Sequence, residues 1–224
     1  MRTLVISDLH LGLRTDGDVL RRPAARDRLL ARLEGVERLV LLGDVLELRH
    51  GPVREALAVA EPVLVAMAEV LGDAQVLLVP GNHDHALVAP WLEARGRTAA
   101  PPPLGLDHRV APRRASWIAA ALARSLGPAE VEVAYPGVWL REDVYATHGH
   151  YLDAHGTVPT FERLAAGLMA RLVGGVPEPE ATPDDYEAVL APIYAWIQAT
   201  AQRAAPGQPA AGAGGTARAY ALLA

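Results

Sequence analysis

Apolar residues in this chain come in short dense runs that end abruptly. Thr3 to Ile6 is a compact, partly β-branched run closed by polar residues, and Arg38 to Leu42 (RLVLL) and Gln75 to Val79 (QVLLV) repeat it. Runs of that length, continuous rather than alternating, predict buried strands. Between them, Arg26 to Leu33 and Val53 to Leu71 carry Leu, Ala, Glu and Arg at helical spacing. Strand, helix, strand, helix, strand predicts an α/β architecture with parallel, doubly covered strands. Farther on, Ala99 to Pro103 (AAPPP) reads as a loop. Ser116 to Leu126 reads as a helix closed by Gly127-Pro128, and Glu130 to Ala134 (EVEVA) as a half-exposed strand paired with Val138 to Leu140. Asp143 to Thr147 (DVYAT) is a last strand. Phe161 to Val173 and Pro183 to Arg203 are long helical patterns. The second opens on a Thr182 cap with Pro at its first position, and Pro192 is expected to kink it. Pro206 to Thr216 reads as low-complexity linker.

Four of the predicted strands, the first three and the last, empty into polar clusters: Ser7-Asp8-Leu9-His10, Gly43-Asp44, Gly81-Asn82-His83-Asp84 and His148-Gly149-His150. In open α/β sheets, ligands bind beyond the carboxyl ends of the strands, so the clusters are expected to meet at one edge. A turn such as PGNHDH needs only its Gly and Asn or Asp. Its two histidines are surplus to that need. Asp8 and His10, two apart at a strand end, can face the same side, and carboxylate with imidazole suits divalent first-row metals. Asp44 adds a carboxylate able to bridge two ions, Asn82 an amide oxygen and His148 another imidazole. Together they make a two-metal site, in which ions roughly 3.5–4 Å apart clamp the attacking and leaving oxygens of a phosphoryl displacement.

Composition narrows the classes. The 224 residues suit one large domain, or one with an appended subdomain, and at 51% hydrophobic they can fill a core. A formal charge of −5 gives nucleic-acid binding no support. All 21 basic residues are Arg, which, with so much Ala, Gly and Pro, reads as genomic base composition. The absence of Cys excludes disulfides, thiolate metal sites and a Cys nucleophile. The apolar run at the N-terminus is too short for a signal peptide, and no run approaches membrane-spanning length; a cytoplasmic protein is expected.

D-x-H (Asp8, His10), G-D (Asp44), G-N-H-D (Gly81 to Asp84) and a later H-G (His148, Gly149), in that order and each after a strand, resemble the calcineurin-like metallophosphoesterase superfamily over about residues 1–155. The resemblance implies an α/β sandwich of two facing mixed sheets flanked by helices, here with an added C-terminal helical segment. It implies hydrolysis of a phosphoester or pyrophosphate bond by a metal-bridging hydroxide. Asp8 and His10 would hold the first ion, Asp44 would bridge, and Asn82 and His148 would hold the second. His83 would stabilise or protonate the leaving oxygen, with Asp84 orienting its imidazole. The cofactors would be two divalent ions, manganese first among them, with Fe, Zn, Ni or Mg as alternatives. The partner would be a phosphorylated small molecule or lipid-linked substrate.

Residues 1–155 would form the core, 156–205 a helical cap or appendage, and 206–224 a linker and the start of a further helix. Leu168, Met169, Leu172, Ile193, Tyr194 and Trp196 either line such a cap or pack on the body. The superfamily usually ends with a G-H-x-H motif, yet no histidine follows His155. Either His150 and His155 compensate as ligands or as partners behind the ligands, or the chain is cut midway through a helix at Tyr220 to Ala224; the second is the expectation. His85 is open between a supporting and an incidental role, and His50 and His108 read as surface residues. The alternative from another class is a non-catalytic scaffold with a degraded metal site.

Overall fold

A computed structural model describes residues 1–15, 17–155, 167–172, 174–175 and 180–203. Three strands, β1 (Thr3–Ile6), β2 (Arg38–Leu42) and β3 (Gln75–Val79), lie side by side and parallel, with Leu4 opposite Leu39 and Leu39 opposite Val76. Helices α1 (Pro23–Leu33) and α2 (Val53–Leu71) make the crossovers. Alternation along the strands sends Leu39, Leu41, Val76 and Leu78 to one face, into a core shared with Leu64 and Met67 of α2. Ile118 and Leu122 of α5 (Trp117–Ser125) complete it. Ser116 starts α5 by accepting the amide of Ala119 at 3.0 Å. Leu41 is fully buried, so Leu41→Ala should cost about 2–5 kcal/mol, the usual cost of a core cavity, read as a fall in the urea midpoint at unchanged slope.

The other face is closed by the chain's own later strand. Glu130 to Ala134 and Val138 to Leu140 are not two paired strands but one, β5 (Glu130–Arg141), running through Pro136. It starts parallel to β3, with Glu130 beside Gln75. Its far end nevertheless reaches the start of β2, where the Arg38 guanidinium donates to the Leu140 carbonyl at 2.9 Å. The strand therefore turns back across the sheet and buries Val40, Leu77 and Val79 under Ala134 and Val138. Its outer half pairs antiparallel with β6 (Val144–Thr147), and its inner half with β4 (Asp107–Val110). The order is β1-β2-β3-β5-β4 with β6 off β5. Among the described residues the strands thus link into one six-stranded mixed sheet, with helices on one face and the folded-back β5–β6 hairpin over the other.

Two short helices, α3 (Ala89–Gly96) and α4 (Pro112–Ala115), precede α5. A last helix, α6 (Pro183–Gln202), opens with the expected cap, where the Asp185 carboxylate accepts the Thr182 amide at 2.7 Å. Of the six residues offered as cap lining, Ile193 and Tyr194 are buried against the body, Met169 packs partly on the same cluster, and Leu168, Leu172 and Trp196 are exposed. All of the linker 206–224 and part of the helix 161–173 lie outside the described residues. No described helix is long and apolar enough to cross a membrane.

Candidate metal centre

Beyond their last paired residues, β1 and β2 keep running together. The amide of Asp8 donates to Gly43, His10 to Asp44 and Leu11 to Val45, at 2.8–3.1 Å, and Leu11 bridges Leu46. This extension is twisted hard: Asp8, His10 and Asp44 have φ of 58°, 43° and 53°. Non-glycine residues held there cost about 1–3 kcal/mol each, and such strain gathers at functional sites. Its effect is to turn the three side chains to one centre.

Two triads of donors result, each with donor atoms within 4.8 Å of one another: His10, Asp44 and His83, and Asp8, Asp44 and His148. Asp44, buried, belongs to both. Nε2 of His10 lies 3.8 Å from Asp8 and 3.7 Å from Asp44; Nε2 of His148 lies 3.6 and 3.5 Å from the same carboxylates. Asp8 is therefore in reach of either imidazole, not of His10 alone. The Asn82 side-chain amide lies between Asp44 and Arg49, where it can donate to Oδ2 of Asp44 and accept from Arg49, each at 3.2 Å. His148 Nδ1 is buried without a hydrogen-bond partner. Carboxylates, imidazoles and an amide oxygen form a donor set suited to divalent metals, so the residues fit the ions.

Glu47, which sequence reasoning missed, organises the imidazoles. Its Oε2 lies 3.2 Å from Nδ1 of His10 and 2.7 Å from Nδ1 of His83. Burial would raise its pKa, but the two imidazole hydrogen bonds outweigh burial and hold it well below the usual carboxylate range. In return, the bond to Glu47, with charge from Asp44 and Asp8, raises the pKa of His10 against the opposing effect of its burial. With Nδ1 of each ring engaged by Glu47, Nε2 is the nitrogen each has left for other partners. An acid in the otherwise apolar Val45-Leu46-Glu47-Leu48 was the sequence clue.

Asp84 does not orient His83. Fully buried, its carboxylate accepts the amides of Gly81 at 2.7 Å, Val45 at 2.8 Å, and Asp44 and Leu46 at 3.3 Å. It pins the β2 loop to the β3 loop, although burial and the charge of Asp44 push its pKa up. Asp44 in turn accepts the His83 amide at 2.9 Å. Glycine is needed twice here: a Cβ on Gly43 would sit 2.1 Å from His148, and one on Gly81 would sit 2.3 Å from Asp44 Oδ1 and 2.9 Å from His148 Nδ1. Gly81→Ala should therefore weaken manganese binding by about 10–100-fold, comparable to losing a partner behind the ligands. Gly149, in open space at φ 83°, should accept Ala with metal binding intact and a thermal stability loss of about 1–2 kcal/mol. Manganese titration of the two variants checks the contrast.

The remaining histidines sort cleanly. His150 is buried, with Nε2 3.0 Å from the Tyr135 hydroxyl and its ring 5.9 Å from that of His148; burial pushes its pKa down to about 3. His85 is buried against Glu187 of α6 at 3.0 Å, and Glu187 also accepts Tyr135 and Tyr151. His155 bonds Tyr186 at 2.9 Å, away from the centre, and His108 stacks near Trp91 on the surface. His50 departs from expectation: it is half-buried and lines a cleft of about 450 Å³ together with Asp8, His10, Glu47 and His83.

The model of the calcineurin-like phosphoesterase family matches residues 1–185. The chain belongs to that family. No curated protein and no solved structure matches it. Family membership makes the chain a phosphoesterase that works with divalent ions, and the paired triads are where such ions fit.

Proposed function

We propose that this phosphoesterase hydrolyses a phosphoester or pyrophosphate bond at a dinuclear centre bridged by Asp44. The observation that carries the reading is one buried carboxylate common to two donor triads. Asp8, His10, Asp44, Asn82 and His148 would hold two divalent ions, manganese first. When bound, these would acidify a water for attack on phosphorus and neutralise charge on the phosphoryl oxygens. His83 faces the same centre with Nδ1 held by Glu47, so the proton given to the leaving oxygen is the one on Nε2. Asp84 keeps the two loops in register through backbone amides. The extensive support for His10 and His83 favours an enzyme over a scaffold, which has no use for an oriented proton donor. The test is elemental analysis for two ions per chain with manganese-dependent hydrolysis of p-nitrophenyl phosphate and its bis-ester. A chain loaded with both ions that turns over neither ester, nor a diphosphate, would overturn the reading.

A further inference from the structure

Helix α6 reaches three of the four loops that gather at the metal centre. Its buried Glu187 receives three donors: Nε2 of His85 at 3.0 Å, the Tyr151 hydroxyl at 3.1 Å and the Tyr135 hydroxyl. His85 stands two residues after His83. Tyr135 also meets Nε2 of His150 at 3.0 Å, and His150 stands two residues after His148. Two turns beyond Glu187, on the same face of the helix, Tyr194 donates to the His150 carbonyl at 3.4 Å. The Arg49 guanidinium lies 5.3 Å from the centre of the Tyr194 ring and donates to the Asn82 carbonyl at 3.2 Å. The Arg49 amide donates to Glu47 at 2.9 Å.

The way α6 is seated makes these contacts count. Its buried apolar residues form a small cluster with Ala154 and Ala170, separate from the main core. Its ends are held by polar bonds: Asp184 accepts the Leu104 amide at 2.8 Å, and Gln202 accepts the Val53 amide at 3.1 Å. Between those ends, Glu187 is the node. None of Glu187, His85, Tyr135 or Tyr194 belongs to either donor triad. Their bonds therefore fix where the loops stand, and not an ion directly. Were the carboxylate lost, three donors would be left without their acceptor, a cost that buried groups escape only by moving.

Resting on the dinuclear reading above, we propose that Glu187 is a positioning residue for the metal centre. It sets the loops of His83 and His148 through His85 and Tyr135, so that ion binding and the seating of α6 support each other. Such support is reciprocal by thermodynamic necessity.

Two variants of the full chain separate this role from simple packing. Glu187→Gln keeps the shape but turns one acceptor oxygen into a donor, which cannot receive the donors gathered there. Ile193→Ala removes apolar packing from the same helix and leaves those bonds in place. Manganese titration, read by electron paramagnetic resonance of the free ion well below the melting temperature, gives the affinities. In Glu187→Gln, at least one ion should bind about threefold or more weakly, short of the 10–100-fold typical when a group bonded directly to a ligand is lost. Ile193→Ala should melt lower and keep the parent's affinity. In the parent, manganese should slow hydrogen exchange of the α6 amides by a matching factor. Unchanged affinity in Glu187→Gln, or an equal fall in Ile193→Ala, would overturn the proposal and leave the dinuclear reading standing. The exchange measurement needs no variant, and its failure to show slowing overturns the proposal even where Glu187→Gln does not fold. A parent that binds no ions would sink the dinuclear reading instead. The positioning role is then decided in the metal-free chain, where Glu187→Gln should shift the Cε1 proton resonances of His83 and His148 and Ile193→Ala should not; unmoved resonances would end it.

Discussion

Asp44→Asn should leave the chain folded and remove both metal binding and turnover. The amide has the shape of the carboxylate, and its oxygen can still accept the His83 amide at the Oδ1 position. What disappears is the buried charge common to both donor triads, within reach of both His10 and His148. Losses behind a ligand typically cost 10–100-fold in affinity, so removing a shared ligand should cost more than about 100-fold. Elemental analysis after dialysis should find neither ion retained. The metal-free variant should melt no lower than the metal-free parent, because the charge of Asp44 is one of the forces opposing ionised Asp84. Retention of both ions by the variant would rule out Asp44 as their bridge.

What could be read in the sequence was what burial imposes on it. Strands β1, β2 and β3 and helix α2 fall on the residues expected because parallel strands covered on both faces must be apolar throughout, which leaves an unbroken mark. The four polar clusters were legible for the same reason, as sharp ends to those runs. Strand β4, Asp107–Val110, was not legible: its residues are held by pairing with β5, and Asp107, His108 and Arg109 carry no alternation. Glu130 to Ala134 and Val138 to Leu140 read as two strands, yet β5 runs unbroken through the Pro136 between them as it passes from β4 to β6. The sheet that folds over itself depends on long-range contacts such as Arg38 to Leu140, which no local window contains.

At the centre, sequence showed which side chains arrive but not how they are shared out. Asp84 next to His83 suggested an orienting pair, because neighbours in sequence are the first partners one considers. The backbone sends them apart: Asp84 inward to four amides, and His83 across to Glu47. Helix α6 belongs to the segment read as a helical cap or appendage, and its Glu187 reaches His85 and Tyr135. Through Glu187, α6 holds His85 and Tyr135, and Tyr135 holds His150, so the helix braces the two loops that carry His83 and His148. Its burial of Ile193 and Tyr194 answers in favour of packing the question that helical periodicity left open.

His83→Asn should separate proton donation from metal holding. If His83 gives its Nε2 proton to the leaving oxygen, the variant should keep both ions and lose about two to four orders of magnitude in kcat, the usual yield of general-acid catalysis. The loss should shrink as the leaving group becomes more acidic, since an oxygen that departs readily as an anion needs no proton. Alkyl phosphates should therefore suffer far more than nitrophenyl phosphates. Geometry leaves a definite competitor, because a ring nitrogen of His83 lies within 4.8 Å of the His10 and Asp44 donors, close enough to share their ion. Were His83 a ligand, the variant would lose one ion along with its activity, and alkyl and nitrophenyl esters would fall together. Glu47 cannot discriminate between these roles, because it steadies the ring in either. Metal content and leaving-group dependence, measured on the same preparation, do: two ions retained with a steepened dependence identifies the acid, and one ion lost with a flat dependence identifies the ligand.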